Sequence, residues 1–200
     1  MQDQVWHDGK PESTGQISFK VLKGDQMNQP IQASDIDLIV YDFDGVMTDN
    51  RVILFQDGTE GVIVSRADGL GVERLRALDI PQLILSTETN PVVNARAAKL
   101  KLEVIGSCDD KATALKNYCA QNECELQKVL YVGNDLNDAD AMGIVGFPVA
   151  PSDAHPDIKS LARLVTQAKG GEGVIRELSD VLIAKKPQEK MEIKNGQSKD

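Results

Sequence analysis

Acidic residues in this sequence gather directly after apolar runs. Asp42 and Asp44 follow a run that ends at Tyr41, and GNDLND (Gly133–Asp138) completes a second run. A carboxylate can attack phosphorus and form a covalent intermediate, and Asp42 has the position for that role. A carboxylate two residues later can protonate the leaving oxygen and then activate water, which is the role expected of Asp44. Glycine at position 45 lets the chain turn sharply after this pair.

Other polar side chains hold equivalent positions after further apolar runs. Ser86 and Thr87 follow one run, and Lys111 follows another. The Ser86 hydroxyl can donate a hydrogen bond to phosphoryl oxygens, and Lys111 can neutralise their charge. Magnesium is a hard cation that prefers oxygen ligands. The expected ligands are Asp42, the backbone carbonyl of Asp44, and Asp135.

Each of these residues has a simpler interpretation when it is taken alone. An acidic residue at a strand end is often a helix cap, and a lysine such as Lys111 is more often a solvated helix residue. The segment Gly69–Gly71 faintly resembles a dinucleotide loop but lacks a third glycine, so we interpret it as a turn. His155 has no partner at ligand spacing and is expected at a helix start. The argument for a phosphoryl-transfer site is therefore the convergence of the whole set.

The chain alternates between buried-strand and helical patterns, which predicts a Rossmann-like α/β fold with a parallel sheet covered by helices on both faces. Five apolar runs predict strands at Asp37–Tyr41, Gln82–Ser86, Leu102–Gly106, Lys128–Gly133 and Phe147–Ala150. Helical patterns follow at about residues 70–78, from Asn90-Pro91, at Lys111–Gln121 and after Gly173. In an open parallel sheet, ligands bind outside the carboxyl ends of the strands. The polar residues are expected to meet at that edge.

One segment departs from this alternation. After the first strand and its acidic residues, two β-rich runs, Val52–Phe55 and Val62–Val64, flank Asp57-Gly58. An Asp-Gly pair between such runs is a strong β-hairpin signal. A lone two-stranded hairpin is marginal in water, and its apolar side chains would promote aggregation if they stayed exposed. We therefore predict a projecting hairpin that packs against the hairpins of other subunits.

The organised part of the chain is expected to span residues 34–184. Residues 1–33 are polar with scattered glycine and proline, and we interpret them as an extension whose one candidate strand is Ile17–Leu22. Residues 185–200 are rich in lysine, glutamate and glutamine and are expected to form a disordered tail.

Bulk composition narrows the class of function. The 200-residue chain is 41% hydrophobic but only 4% aromatic, which predicts an aliphatic core. A net charge of −9 argues against binding to nucleic acid or to an anionic membrane. Three cysteines are too few for a disulfide framework, and no apolar run approaches the roughly 20 residues that span a bilayer. The start of the chain lacks signal-peptide features, so a cytoplasmic location is expected.

These motifs, in this order, resemble the haloacid dehalogenase (HAD) superfamily of phosphotransferases. DFDGVMTD, which begins at Asp42, matches its first motif, Ser86 its second, Lys111 its third and GNDLND its fourth. The resemblance covers about residues 35–184. It implies a magnesium-dependent phosphatase that works through an aspartyl-phosphate on Asp42. Asp44 is typical of the phosphatases, because the true dehalogenases of the superfamily lack it.

Within that superfamily, the chain resembles the small capless phosphatases of phosphorylated 3-deoxy-2-ulosonic acids. The insert after the first motif is only a hairpin, which leaves no room for a cap domain. DAHP (Asp153–Pro156) and GGEGVIRE (Gly170–Glu177) are similar to stretches typical of the group. The resemblance implies a homotetramer whose hairpins pack into a central barrel and whose subunits complete one another's active sites. The group also includes domains fused to sialic-acid cytidylyltransferases.

The segment after Ser86 bears on the substrate. Octulosonate phosphatases of this group usually have Thr-Gly-Arg there, whereas the nonulosonate type has a glutamate, then an arginine and a lysine. Glu88, Arg96 and Lys99 fit the second pattern, so the resemblance favours a nonulosonic (sialic-type) acid 9-phosphate, with 3-deoxy-manno-octulosonate 8-phosphate next. The alternative is that Arg96 and Lys99 form only the solvated face of a helix. The other residues expected at the substrate are Gly45, Thr87 and Arg176.

Two positions depart from the usual motifs. Ser86 replaces the commoner threonine and can still donate a hydrogen bond. Asn134 stands where many relatives have an aspartate directly after the glycine. Either Asp135 binds the metal, or Asn134 binds it through its amide oxygen with Asp138 in the outer shell. We favour Asp135, because losing a charged magnesium ligand without replacement would weaken the site.

Two other classes of function compete with a phosphatase. A non-catalytic tetramerisation module associated with a sialic-acid cytidylyltransferase has no need for Asp42, Asp44 and Lys111, so their presence argues against it. A phosphomutase shares the aspartyl-phosphate step. It usually needs a cap that keeps water from the intermediate, and none is visible in the sequence.

Overall fold

The structure is a computed structural model that describes residues 31–183. Its strands are β1 (Leu38–Tyr41), β2 (Thr48–Leu54), β3 (Glu60–Val64), β4 (Gln82–Leu85), β5 (Glu103–Ile105), β6 (Val129–Val132), β7 (Phe147–Ala150) and β8 (Leu164–Val165). Its α-helices are α1 (Arg66–Arg76), α2 (Val92–Leu100), α3 (Lys111–Gln121), α4 (Ala139–Ile144), α5 (Pro156–Leu161) and α6 (Val174–Ile183). None of these helices is long and apolar enough to cross a membrane. The candidate strand Ile17–Leu22 and the tail at 185–200 lie outside the described residues.

Six strands form one parallel sheet in the order β5-β4-β1-β6-β7-β8, which confirms the predicted α/β architecture. In the central strand β1, Tyr41 is in register with Ile84 of β4 and with Val132 of β6. The sheet extends from β1 through β4 and β5 on one side and through β6, β7 and β8 on the other. Such a reversal of strand order opens a crevice at the carboxyl ends of the strands, where ligands bind.

Two short elements add to those predicted. β8 has two residues and α4 has six, so neither a strand pattern nor a helical pattern stands out in their sequence. The helix start expected at His155 is confirmed. Its Nδ1 accepts a hydrogen bond of 3.3 Å from the Asp157 N–H at the beginning of α5.

The two faces of the sheet bury separate apolar clusters. In β1, Ile39 and Tyr41 belong to one cluster, and Leu38 and Val40 belong to the other. This division follows from the alternation of side chains along a strand. Ile31 is buried in the first cluster, so the packed structure begins before residue 34.

Helix α1 begins earlier than predicted, directly after Ser65, whose hydroxyl accepts a hydrogen bond from the Ala67 N–H. The segment Gly69–Gly71 lies inside this helix, so its interpretation as a turn was wrong. A Cβ at Gly71 would lie 2.6 Å from the carbonyl oxygen of Ile175. The glycine therefore allows close packing of α1 against α6.

Asp68 in α1 fixes the start of α6. Its Oδ1 accepts hydrogen bonds from the N–H groups of Ile175 at 2.8 Å and Arg176 at 3.2 Å. The first N–H groups of a helix lack intrahelical partners, so a carboxylate from another element stabilises them. Just before α6, the Gly171 N–H donates to the Val46 carbonyl at 3.0 Å. The α1–α6 pair thereby supports the backbone of the first motif.

The predicted hairpin is confirmed as the antiparallel pair of β2 and β3. In its turn, Gly58 has a φ of 84°, which glycine adopts without strain, and Asp57 Oδ1 accepts from the N–H and the hydroxyl of Thr59. The pairing register shifts between Thr48 and Val52, so β2 carries an irregularity near its start. The insert between β1 and α1 consists of this hairpin alone, which leaves no cap domain within residues 31–183.

Candidate active site

Asp42 is the first residue beyond β1 and lies where the strand order reverses. Its side chain is buried, and its Oδ1 accepts a hydrogen bond of 2.7 Å from the Phe43 N–H. The neighbouring strand β4 leads into Ser86, and the other neighbour, β6, leads toward Asn134. The predicted residues converge because three adjacent parallel strands end at the same edge.

Lys111 bridges two buried carboxylates. It is the first residue of α3, and its Nζ lies 2.8 Å from Asp42 Oδ1 and 2.7 Å from Asp138 Oδ1. The lysine side chain is only 1% exposed, so water screens these charges little. A buried charge is tolerated when it is paired, and here the pairing also orients Asp42.

Asp138 organises the loop after β6. Its Oδ1 also accepts from the Tyr131 hydroxyl at 2.7 Å, and its Oδ2 accepts from the N–H groups of Asn134 and Asp135 at 2.9 and 3.3 Å. With both oxygens engaged and the side chain fully buried, Asp138 holds Lys111 and the loop rather than a ligand. Sequence reasoning missed Tyr131, because a tyrosine inside an apolar run is indistinguishable from a core residue.

Burial and the neighbouring charges shift the pKa values of Asp42 and Lys111. Burial raises the pKa of Asp42, the charge of Asp138 raises it further, and Lys111 opposes both. For Lys111, burial lowers the pKa, but Asp42 and Asp138 outweigh it and the pKa is raised. The lysine therefore stays charged. A second positive charge beside Asp42 would favour its ionised form.

The side chain of Asn134 meets two oxygen atoms beside Asp42. One of its two terminal amide atoms lies 3.2 Å from Asp42 Oδ2 and 2.8 Å from the carbonyl oxygen of Asp44. If this atom is the amide nitrogen, it donates hydrogen bonds to both oxygens. If it is the amide oxygen, it forms a set of three oxygens with Asp42 Oδ2 and the Asp44 carbonyl. Ligand oxygens at about 2.0–2.1 Å from an octahedral Mg²⁺ lie about 2.9 Å apart. The spacing of these atoms therefore fits a magnesium ion.

Gly45 makes the approach of Asn134 possible. Its φ is 76°, and a Cβ at this position would lie 1.9 Å from the Asn134 amide. Any other L residue would strain the backbone and displace the amide. Gly45, which was expected at the substrate, thus serves the site through the space that it leaves open.

Asp135, the metal ligand that the sequence analysis preferred because of its charge, directs its carboxylate at the backbone of the next residue. Its Oδ1 accepts a hydrogen bond of 2.7 Å from the Leu136 N–H, and the residue is exposed at the cleft. Within residues 31–183, no cluster of three His, Cys, Asp or Glu side chains can hold a metal ion. A set with one carbonyl and one amide oxygen does not depend on such a cluster. The geometry therefore favours Asn134 over Asp135.

Asp44 is half-buried and faces the cleft. Its Oδ1 accepts a hydrogen bond from the Thr48 hydroxyl at 3.4 Å. That hydroxyl accepts from the N–H groups of Gly45 and Asn50, each at 3.2 Å, so its single proton is directed at Asp44. Burial raises the pKa of Asp44, the charge of Glu88 raises it further, and the Thr48 hydrogen bond lowers it. The net rise suits a general acid.

A cleft of about 300 Å³ opens over these groups. Its lining consists of Asp42, Asp44, Asn50, Thr87, Asn134, Asp135 and Asn137. This set contains carboxylates, amides and one hydroxyl, but no lysine or arginine. Asn50 and Asn137 were missed, because an isolated asparagine in a strand arm or a loop is ordinarily a turn residue.

Ser86 and Glu88 shape the loop between β4 and α2. Ser86 is buried, and its Oγ accepts a hydrogen bond of 3.1 Å from the Glu88 N–H. Glu88 Oε1 accepts from the N–H groups of Thr89 and Asn90 at 2.7 and 2.8 Å. Since the Ser86 hydroxyl acts as an acceptor in this contact, its proton can be donated to another group.

Three basic residues and Glu88, all predicted to contact the substrate, are absent from the lining of the cleft of their own chain. Arg96 Nη2 donates to the Ser65 carbonyl at 2.7 Å. Arg176 Nε lies 3.6 Å from Asp180 Oδ2 on the same helix, and Lys99 is exposed in the last turn of α2. The structure thus separates the three basic side chains from the cleft of the same subunit. Contact with a neighbouring subunit's substrate stays a prediction.

Known proteins are similar to this chain in sequence and in fold. Residues 80–178 match the family model described as haloacid dehalogenase-like hydrolase. The 3-deoxy-D-manno-octulosonate 8-phosphate phosphatase of Yersinia pestis is 33% identical over 168 residues, which cover 84% of this chain and 89% of that relative. The chain belongs to the haloacid dehalogenase-like hydrolase family.

Solved structures agree with membership of the HAD-like family. A Streptomyces avermitilis protein assigned to the HAD hydrolases is 48% identical with a TM-score of 0.76, covering 77% of this chain and 88% of its own. The 3-deoxy-D-manno-octulosonate 8-phosphate phosphatase of Moraxella catarrhalis, in complex with magnesium, phosphate and KDO, is 29% identical with a TM-score of 0.73, covering 76% and 88%. Together with the curated relatives, these findings make the chain a phosphoric monoester hydrolase rather than a non-catalytic module.

Proposed function

We propose that this phosphatase hydrolyses a phosphorylated 3-deoxy-2-ulosonic acid, with Mg²⁺ as cofactor and an aspartyl-phosphate on Asp42. The observation that carries the proposal is the position of Asp42. Its carboxylate lies 2.8 Å from Lys111 Nζ on one side and faces Asn134 on the other. Burial raises the pKa of Asp42 to about 8 and Lys111 opposes this rise; a bound Mg²⁺ would add a second positive charge that favours the ionised nucleophile. The names of the Yersinia and Moraxella relatives support the sugar-acid class.

In the first half-reaction, a carboxylate oxygen of Asp42 bonds to phosphorus while the bond from phosphorus to the sugar oxygen breaks. Protonated Asp44 gives its proton to that leaving oxygen. The raised pKa of Asp44 supports this acid role. Ser86 donates to a phosphoryl oxygen, and Lys111 offsets the charge that develops on the phosphoryl group.

In the second half-reaction, Asp44 takes a proton from a water molecule. The water oxygen bonds to phosphorus as the bond between phosphorus and Asp42 breaks, and inorganic phosphate leaves. Asp44 is thereby returned to its acid form. A phosphomutase would have to keep water from this intermediate, and an insert that consists of one hairpin supports hydrolysis instead.

The magnesium ligands in this proposal are Asp42 Oδ2, the Asp44 carbonyl oxygen and the Asn134 amide oxygen. A bound Mg²⁺ supplies positive charge that stabilises the transferring phosphoryl group. Asp138 holds Asn134 in position for this ligand set, because its Oδ2 accepts a hydrogen bond of 2.9 Å from the Asn134 N–H. Asp135 remains at the rim of the cleft.

Two sugar acids compete as the substrate. We place 3-deoxy-manno-octulosonate 8-phosphate first, because the Yersinia and Moraxella relatives carry that substrate in their names. The nonulosonic acid 9-phosphate preferred from the sequence is second. It remains a candidate because Glu88, Arg96 and Lys99 match the pattern that the resemblance associates with the nonulosonate type.

The assembly in this proposal is a homotetramer with shared active sites. Five apolar residues of the hairpin are 48–68% exposed: Val52, Ile53, Leu54, Phe55 and Ile63. A cluster of this kind on a monomer is typical of a subunit interface. The cleft lining lacks a lysine or arginine, so the carboxylate of a sugar acid needs a cation from elsewhere. Lys99 and Arg176 of a neighbouring subunit are the candidates.

A phosphate-release assay tests the proposal. The wild-type chain is incubated with Mg²⁺ and each of octulosonate 8-phosphate, a nonulosonate 9-phosphate and a hexose 6-phosphate. We expect kcat/KM for one of the two sugar acids to exceed that for the hexose phosphate by at least about tenfold. Equal values for all three would refute the substrate class. Full activity after exhaustive chelation would refute the metal requirement.

A further inference from the structure

We infer that Asn50 is a specificity-determining residue whose side-chain amide hydrogen-bonds the hydroxyl-bearing part of the substrate; this inference deepens the proposed function and rests on it. Asn50 lines the cleft together with Asp42, Asp44 and Thr87. It comes from the hairpin strand β2, whereas those three residues lie one to three residues beyond the ends of the main-sheet strands β1 and β4. An amide offers both donors and an acceptor, which are the groups that a polyhydroxylated ligand requires.

The backbone of Asn50 is held in an uncommon conformation. Its φ of 61° lies in the left-handed region, which carries an energetic cost for residues other than glycine. The register of the hairpin shifts between Thr48 and Val52, so Asn50 lies where the strand is irregular. Its N–H donates to Thr48 Oγ1 at 3.2 Å, and the same hydroxyl donates to Asp44. One hydroxyl therefore ties Asn50 to the proposed general acid.

The cleft has a reacting end and a remaining part. Asp42, Asp44 and Asn134 form the reacting end, where charge develops on the phosphoryl group. The remaining lining residues are Asn50, Thr87, Asp135 and Asn137. Three of these four carry a neutral amide or a hydroxyl, which suits the hydroxyl groups of a sugar, whereas the reacting end carries the two carboxylates proposed for phosphoryl transfer. This difference assigns Asn50 to the part of the cleft that receives the sugar chain.

Substituting Asn50 with glycine distinguishes a role of its amide in substrate binding from a purely conformational role. Asparagine is common in left-handed positions for local reasons, and glycine adopts the same φ without strain but has no amide. Asp79 offers a matched control, because it is exposed, has a φ of 57°, and lies between α1 and β4, at the end of the sheet opposite the cleft. Asn50→Gly and Asp79→Gly remove the same kind of strain, but only the first removes an amide from the cleft.

The test is the ratio of kcat/KM for octulosonate 8-phosphate to kcat/KM for p-nitrophenyl phosphate, measured on the full chain with Mg²⁺. We expect Asn50→Gly to lower this ratio about tenfold, mainly by raising KM for the sugar acid, because one hydrogen bond to a bound hydroxyl is lost. Asp79→Gly should keep the wild-type ratio. An unchanged ratio in Asn50→Gly, including an equal fall for both esters, would overturn the inference.

A second variant and a second substrate keep the test decisive. Asn50→Asp tolerates the left-handed backbone but removes the two N–H donors, and it should also lower the ratio. If the wild type hydrolyses a hexose phosphate but neither sugar acid, the proposed substrate class fails. The ratio is then measured with that hexose phosphate, where a tenfold fall supports the role of Asn50 and an unchanged ratio refutes it.

Discussion

The Thr48 hydroxyl in β2 donates a hydrogen bond to Asp44 Oδ1, with 3.4 Å between the two oxygens. A hydrogen bond donated to a carboxylate favours its charged form, so Thr48 lowers the pKa of Asp44. Burial, which is the largest influence, and the charge of Glu88 both raise that pKa. The acidity of the proposed general acid is therefore set partly by two neighbours that act in opposite directions.

Thr48→Val should move the basic limb of the pH profile of kcat/KM to higher pH. A general acid is active when protonated, so activity is present below the pKa of Asp44 and is lost as pH rises through it. Removing the hydrogen bond raises this pKa. We also expect roughly a tenfold loss of kcat/KM at the optimum, because the acid loses its orientation. Thr48→Ser keeps the hydroxyl and should retain the wild-type limb; a limb that does not move in Thr48→Val would contradict the prediction.

Glu88→Gln should move the same basic limb to lower pH. The negative charge of Glu88 raises the pKa of Asp44, so a neutral side chain of the same size lowers it. Glu60 provides a graded control, because its charge acts on Asp44 in the same direction but more weakly. Glu60→Gln should therefore give a smaller shift. A shift of the limb to higher pH in Glu88→Gln would show that its charge does not govern Asp44.

Lys111→Met should lose most activity and reduce the free energy of unfolding by about 3–5 kcal/mol, because Asp42 and Asp138 become unpaired buried charges. Urea unfolding and phosphate release measure the two effects. Lys128→Met is the control, since its side chain is 45% exposed, and its removal should change stability by less than about 1 kcal/mol.

Asp42→Asn separates catalysis from stability at the same cluster. It leaves the contact between Lys111 and Asp138 in place, so this variant should remain folded while phosphate release is abolished. Near-normal turnover in Asp42→Asn would exclude it as the nucleophile, and wild-type stability in Lys111→Met would contradict the importance of the ion pairs.

Asn134→Ala should raise the Mg²⁺ concentration needed for half-maximal rate by at least about tenfold, and Asp135→Ala by less. The Asn134 amide lies 3.2 and 2.8 Å from the other two proposed ligand oxygens, whereas Asp135 accepts from the Leu136 N–H. Initial rates over a magnesium titration measure the effect. Asn134→Asp adds a charged ligand and should lower the requirement. A larger effect in Asp135→Ala would assign the metal to Asp135 instead.

Phe55→Asp should break the assembly and raise KM for the sugar acid, with much less effect on a small phosphate ester. The Phe55 side chain is 52% exposed in the hairpin, and a charge there would be buried in the proposed interface. Light scattering measures the mass of the assembly. Leu78→Asp, at an exposed leucine beyond the end of α1, is the control and should leave the mass unchanged. A wild-type monomer that discriminates between substrates would refute the shared site.

The sheet, the hairpin and the motif residues could be predicted because each depends on local pattern or simple topology. The apolar run before Asp42 is long enough to read as a buried strand, and Asp57-Gly58 marks a turn wherever it separates two β-rich runs. Parallel strands end at a common edge, so Asp42 and Lys111 could be brought together without knowledge of any side-chain contact. The start of α1 was misjudged because Gly69–Gly71 has low helix propensity, which its packing against α6 overrides.

The sequence by itself determined the reaction class, phosphoric monoester hydrolysis, because carboxylates, a lysine and a hydroxyl at the ends of parallel strands suit phosphoryl transfer. Only the tertiary structure decided which of two adjacent residues has its side chain beside Asp42. Asn134 and Asp135 are adjacent, yet the path of the chain after β6 turns the first toward Asp42 and the second toward its own loop. Arg96 contacts the Ser65 carbonyl for the same kind of reason. The direction of a side chain depends on backbone path and on packing between elements that are distant in sequence, and a local pattern contains neither.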